Sequence, residues 1–270
     1  MRFAIDVTGF GSYADPSVVA RVATTAEASG WDGLFHWDHL AWAIGIPCGD
    51  PWISLAAAAT TTDRIRLGIG VCPLPRRRPQ VVVTAASALD RLSHGRFVLG
   101  VGLGGVEEEF EAFGEPGDPA GRAVALDESL DVVDRLLRGQ AVDHEGSSVT
   151  IRGVTLAPTG VQQPRPPIWV GGSSRAALRR ATLMDGYHAG ASVDEHGTRV
   201  FGGDELARRL DVIGRGEGFD VAVAGASSPD DPSSWRDYEA AGATWWLETI
   251  HDMRGSLDEM LARVAAGPGG

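Results

Sequence analysis

The chain has 270 residues, near the roughly 250 of an eight-fold β/α barrel, with a formal net charge of −12 and 43% hydrophobic residues. That charge argues against nucleic-acid and anionic-membrane partners, which need a basic surface, and the apolar runs are too short to span a bilayer. All 24 basic residues are arginine, which excludes Schiff-base aldolases, pyridoxal-phosphate enzymes and Walker-type nucleotide sites, each of which needs a lysine amine.

An acid within Met1-Arg2-Phe3-Ala4-Ile5-Asp6 argues against a signal peptide. Cys48 and Cys72 are the only cysteines, which suits a reduced, cytoplasmic protein without a disulfide framework. Phe3, Ile5 and Val7 give a first strand its period-two pattern. Asp15-Pro16 starts a helix whose apolar face is Val18, Val19, Val22, Ala23 and Ala26, and Gly30 ends it. A strand at Leu34–Trp37, a helix at Pro51–Thr61, a strand at Ile65–Val71, a helix at Pro79–Leu92 and a strand at Phe97–Val101 follow. A long helix over Ala120–Arg138 presents Val124, Leu126, Leu130, Val133 and Leu137 as its buried side.

From Ala141 to Pro167 glycines and prolines break the rhythm and predict a small hairpin or loop excursion. Strands at Ile168–Val170, Tyr187–Ala189, Val221–Val223 and Thr244–Leu247 then alternate with helices from Ser173–Ser174 to Met184, and at Asp204–Ile213, Trp235–Ala241 and Leu257–Ala265. Repeated β-then-α order implies parallel strands with right-handed crossovers. The expectation is an α/β fold: a single (β/α)8 TIM barrel over residues 1–270, with a small insertion between strands four and five. A doubly wound open sheet is the structural alternative.

In a barrel the reacting groups sit at the C-terminal strand ends. Strand two ends in Phe35-His36-Trp37-Asp38-His39, where Asp38 can orient the His39 imidazole for proton-coupled chemistry, or simply cap the next turn. His36 points to the same face if the strand continues, and Trp42 can wall the pocket. Strand three ends in Gly68-Ile69-Gly70-Val71-Cys72-Pro73, whose glycines mark a bulge or close approach by a ligand; Cys72 reads as packing. Strand four ends in Gly100-Val101-Gly102-Leu103-Gly104-Gly105, which admits a flat ring against the backbone more readily than a dinucleotide, because no strand-borne acid follows. Glu107, Glu108 and Glu109 open a helical turn and favour its dipole. Strand five leads to Gly171-Gly172-Ser173-Ser174-Arg175, which reads as a phosphate cradle, with N-capping by either serine as the alternative. Arg76-Arg77-Arg78, in the third βα loop, reads as a solvated charge run, with contact to an anionic substrate or cofactor tail as the alternative, and Glu248 reads as a pocket carboxylate.

These segments resemble the luciferase-like monooxygenase superfamily, the barrel flavoenzymes that include deazaflavin-dependent reductases. The likeness runs through most of residues 1–190. It is carried by Gly30-Trp31-Asp32-Gly33-Leu34-Phe35 with Asp38-His39, and by Arg64-Ile65-Arg66-Leu67-Gly68-Ile69-Gly70-Val71. Leu89-Asp90-Arg91-Leu92-Ser93-His94-Gly95-Arg96-Phe97-Val98-Leu99-Gly100-Val101-Gly102 and Pro167-Ile168-Trp169-Val170-Gly171-Gly172 continue it. The resemblance implies a ring in the barrel mouth, a cis peptide at Gly70-Val71 behind it, a phosphate at the strand-five glycines, and His39 with Asp38 at the ring. In one departure, some deazaflavin reductases carry a glutamate just after strand four, where this chain has Gly105; Glu107 and Glu108 are the nearby carboxylates.

The expected function is an oxidoreductase using coenzyme F420 or FMN on a small organic molecule. The Asp38-His39 pair favours F420 and hydride transfer, with an FMN-dependent monooxygenase as the alternative. The cofactor-binding residues expected are Gly70, Val71, Gly102, Leu103, Gly104, Gly171, Gly172, Ser173, Ser174 and Arg175, with no metal. Two further alternatives are a metal-dependent barrel hydrolase built on His36, Asp38 and His39, and a barrel that binds flavin without turnover. A homodimer is consistent with the resemblance.

Overall fold

Asp-Pro pairs open three of the major helices, and they do so for a local reason. In the computed structural model, which describes residues 1–40, 45–115, 117–191, 200–214, 216–227 and 234–268, the carboxylates of Asp15, Asp50 and Asp118 accept N–H bonds from Ser17, Ile53 and Gly121. The following proline occupies the first helical position, where no N–H is needed. The helices are α1 (Pro16–Ala28), α2 (Pro51–Thr61), α3 (Pro79–Leu92), a single turn α4 (Glu108–Glu111), α5 (Pro119–Leu137), α6 (Arg175–Ala181), α7 (Gly203–Ile213), α8 (Arg236–Ala241) and α9 (Leu257–Ala265).

Strands β1 (Arg2–Val7), β2 (Gly33–His36), β3 (Arg66–Pro73) and β4 (Phe97–Gly102) come first. β5 (Val142–Glu145) and β6 (Thr150–Val154) form an antiparallel hairpin, the expected insertion. β7 (Ile168–Gly171), β8 (Gly186–Ala191), β9 (Asp220–Gly225) and β10 (Trp245–Ile250) complete the set. Eight parallel strands close in the order β1-β10-β9-β8-β7-β4-β3-β2, so the TIM barrel expected from the β-α rhythm is the observed architecture, and the open sheet is not. The hairpin is pinned to α5 by Glu128, whose carboxylate accepts N–H bonds from Ser147, Ser148 and Val149. Those bonds hold its pKa down to about 2.

Strand alternation sorts the core into two layers. Odd residues of β1, such as Ile5 and Val7, pack outward under the helices, whereas Ala4 faces the lumen with Phe35, Val98, Trp169, Ala222, Trp245 and Leu247. The Phe35 and Trp169 rings stack with centroids 5.1 Å apart, and Trp245 closes on both. Three rings fit because glycines cede the volume: a methyl on Gly33 would meet Trp245 at 3.3 Å, and Gly68 and Gly186 lie directly against Phe35 and Trp169. In α5 the helical phase differs slightly from expectation. Leu126, Leu130, Val133 and Leu137 are buried, but Val124 is 46% exposed and Leu136 takes its place. Among the described residues no helix is long and apolar enough to cross a membrane.

Candidate active site

The tips of β2, β3, β4, β7, β8 and β9 surround a cleft of about 560 Å³. Trp37, Asp38 and His39 come from β2, Gly70, Val71 and Pro73 from β3, and Gly102–Gly105 from β4. Gly171–Ser174 follow β7, and His188 comes from β8. Every expected site residue except Arg175 therefore lines one cleft. Arg175 is exposed and lies outside the lining; Arg180, on the same helix, reaches the wall and is held by Asp127 at 2.9 Å. A wider depression of about 940 Å³ lies between α7 and α8, and it gathers none of these residues. Trp42 lies outside the described residues.

The Gly70–Val71 peptide is cis, as the resemblance implies. The β3–β4 register slips between Ile69 and Cys72 and turns Val71 toward β4 and β7. A Cβ on Gly102 or Gly171 would come within 2.7 or 3.0 Å of the Val71 methyls, so a side chain at either position requires Val71 to shift. Cys72 is fully buried, as expected of packing.

The acid that faces His39 is not its sequence neighbour. His39 Nδ1 lies 3.2 and 3.3 Å from the two carboxylate oxygens of Glu109 on α4, and Glu109 also accepts the Leu40 N–H at 2.7 Å. A carboxylate accepts only, so Nδ1 carries the hydrogen and Nε2 is left for a ligand. Asp38 is engaged elsewhere: Arg77 grips it with two bonds of 2.7 and 2.6 Å, and Arg76 donates to it at 3.1 Å. Arg76 also pairs with Glu109. Arg76 and Arg77 are thus not a solvated run. Their side chains are 6% and 21% exposed and they neutralise two buried carboxylates. Burial of those charges is tolerable only because each is paired and hydrogen-bonded. Glu109, expected only to favour a helix dipole, is 2% exposed and central to the site.

Two lumen groups lie beneath the mouth. His188 accepts the Gly190 N–H on Nδ1 at 3.2 Å, so Nε2 is protonated, and burial lowers its pKa to about 4. Its ring crosses to β3, where a Cβ on Gly70 would lie 2.9 Å from Nε2. Asp6 accepts from the Trp37 indole at 2.8 Å and from Thr249 at 3.1 Å, and burial pushes its carboxyl up to about 7.

Two other expected groups face outward. His36 is fully buried behind the strand, with Nδ1 2.6 Å from the Trp37 carbonyl, and does not line the cleft. Glu248 is no pocket carboxylate: parity on β10 sends it outward to the Trp246 indole and Arg254. Among the described residues no three His, Cys, Asp or Glu side chains are gathered so as to hold a metal ion. His36, Asp38 and His39 therefore do not form the ligand set of the hydrolase alternative.

Solved structures share this architecture. The coenzyme F420-dependent tetrahydromethanopterin reductase of Methanopyrus kandleri superposes with a TM-score of 0.76 at 18% identity, over 98% of this chain and 97% of that one. An F420-dependent secondary alcohol dehydrogenase in complex with an F420–acetone adduct gives 0.77 at 14%, over 98% of each chain. The oxygenating constituent of 3,6-diketocamphane monooxygenase from Pseudomonas putida, in complex with FMN, gives 0.76 at 15%, over 98% of this chain and 96% of that one. Residues 3–261 match the luciferase-like monooxygenase family from near one end of the chain to the other. With its closed barrel and its strand-tip cleft, the chain belongs to that family.

Proposed function

We propose that the protein is an oxidoreductase that holds coenzyme F420, with FMN as the alternative, and moves a hydride to or from a small organic substrate. The observation that carries this reading is the His39–Glu109 pair beside a slot walled by backbone. The slot suits a planar ring: Gly102, Gly104 and Gly171 present no side chain, and a methyl on Gly102 would strike Val71. Gly70, Val71, Leu103 and Trp37 would bound the ring. Gly171, Gly172, Ser173 and Ser174 would hold its phosphate, although Ser174 already caps the Ala177 N–H. Arg175, outside the lining, takes no part.

When bound, either cofactor supplies a two-electron carrier. The chain supplies position and a proton. His39 Nε2 accepts or returns the proton of the substrate's oxygen, and Glu109 stabilises the imidazolium as it forms, itself steadied by Arg76. Asp38 acts at one remove, by fixing the two arginines. His188 stays neutral near neutral pH and packs the floor beneath Gly70.

The test is to titrate the apoprotein separately with FMN and F420, following each chromophore, and then to assay His39→Ala against a panel of small ketones and alcohols. The expected result is tight binding of F420, and a variant that keeps the cofactor but loses turnover. Preferential FMN binding with oxygen-dependent turnover would move the assignment to a monooxygenase. Binding of neither ring would end the proposal.

A further inference from the structure

The base of the cleft carries a hydrogen-bond donor whose state is set by the backbone. His188 lies level with Gly171 in the β7–β8 register and with Ala222 on β9. Just beyond it the β8–β9 register slips, and Gly190 takes a φ of +83°, which glycine adopts without strain. There the Gly190 N–H donates to His188 Nδ1 at 3.2 Å. A ring nitrogen that accepts carries no hydrogen, so this one bond fixes the tautomer and leaves the hydrogen on Nε2. Burial holds the imidazole's pKa down at about 4, so near neutral pH the ring stays an uncharged donor.

His188 Nε2 has no hydrogen-bond partner among the described residues, and the side chain is almost out of reach of bulk water, at 5% exposure. Buried donors are nearly always paired, because an unmade bond leaves the cost of desolvation uncompensated. Yet His188 lines the cleft together with Gly70, Val71, Gly102 and Gly171. Its ring crosses the lumen to β3, where Gly70 leaves it room: a Cβ there would lie 2.9 Å from Nε2. Neighbouring polar groups are committed elsewhere, the Trp37 indole to Asp6 and the Asp38 carboxylate to Arg77. A donor with a locked tautomer at the base of a slot walled by backbone calls for an acceptor atom on the guest.

Both candidate rings offer one. FMN and F420 share a pyrimidinedione edge whose carbonyl oxygens accept hydrogen bonds. Uptake of a hydride, two electrons with one proton, increases the electron density on that edge. A neutral donor held against it therefore binds the reduced ring more strongly than the oxidised one, since hydrogen bonds strengthen as the acceptor gains charge.

Resting on the oxidoreductase reading above, we infer that His188 Nε2–H is a cofactor contact, donating to a carbonyl oxygen of the ring's pyrimidinedione edge and favouring the reduced form. Gly190 and Gly70 serve that contact, the first by fixing the tautomer and the second by admitting the imidazole.

His188→Leu removes the donor at similar volume, and His188→Gln restores an N–H near the same point. FMN and F420 are titrated separately, oxidised and reduced, into the full chain as apoprotein, and the midpoint potential is measured for the ring that the parent holds. In His188→Leu the affinity for the reduced ring should fall roughly tenfold more than that for the oxidised ring, which is about 30 mV off the potential of a two-electron couple, while His188→Gln stays near the parent. The parent labelled with 15N-histidine gives a readout that needs no variant, and it decides the matter if His188→Leu does not fold. The buried Nε2–H proton should move downfield when the ring is added. His36 is told apart because its hydrogen sits on Nδ1, facing the Trp37 carbonyl. An unmoved Nε2–H signal on ring binding, or a folded His188→Leu with the parent's potential, would overturn the inference and leave the oxidoreductase reading standing. Binding of neither ring by the parent would remove that reading, and this contact with it.

Discussion

Replacing Asp6 by asparagine should change how stability depends on pH, and the sign follows from burial. Asp6 is fully buried in the lumen, and desolvation raises its pKa from 3.8 to about 7 against the opposing bonds from Trp37 and Thr249. Its second oxygen, Oδ1, has no partner among the described residues. The native state therefore keeps the proton that the unfolded chain releases first. Stability from this group is full below about pH 4 and is lost as the pH rises through about 7, by about 4 kcal/mol at 1.36 kcal/mol per pH unit. His188 acts in the opposite sense. Its pKa falls from 6.5 to about 4, so the unfolded chain binds a proton first on acidification, and stability rises by about 3 kcal/mol between those values.

In the parent these two slopes nearly cancel between about pH 4 and 6.5, and the Asp6 loss continues toward neutrality. The asparagine side chain does not titrate. The variant should gain stability from about pH 4 to 6.5, stay level above that, and exceed the parent by about 4 kcal/mol more at pH 8 than at pH 4. The unsatisfied amide hydrogens add an offset that does not vary with pH, so the difference between pH values is the quantity to read. Urea unfolding followed by circular dichroism across this range measures it. Parallel curves for parent and variant would refute the assignment of a raised carboxyl in the lumen.

Glu109→Gln keeps the side chain's shape but removes the charge facing His39. Turnover should fall roughly 100-fold or more while ring affinity is little changed, as steady-state kinetics and chromophore titration would show. Gly102→Ala sets a methyl 2.7 Å from Val71 in a wall made of backbone, at a cost of about 1–3 kcal/mol, and should weaken ring binding as well. A melt and a titration indistinguishable from the parent would mean that Val71 can move aside. Trp169→Ala removes the ring stacked on Phe35 and should cost about 3–5 kcal/mol in urea unfolding.

The barrel was legible because its signals are local. Each aspartate cap, each first-turn proline and each run of apolar residues acts on its own neighbours, and the β-α alternation allows few topologies. The convergence of Gly70, Gly102, Gly171 and His39 on one cleft was legible for the same reason, since strand tips share a rim. The wiring within the cleft was not. Asp38 adjoins His39 in sequence, but the carboxylate that meets the imidazole comes from 70 residues away. Arg76 and Arg77 look like a solvated run until the two acids they neutralise are brought beside them. Parity could have revealed more: with Ile5 and Val7 packing outward, Asp6 must face the lumen, and the same rule turns Glu248 away from it.

The plug formed by Phe35, Trp169 and Trp245 fixes how far any guest can descend. Because the glycines opposite those rings leave no spare volume, the compartment above cannot be deepened by trimming one residue without collapsing the tier beneath it. Variation in the size of molecule accepted is therefore confined to the loops around the opening, which can diverge without disturbing the pillar that supports them.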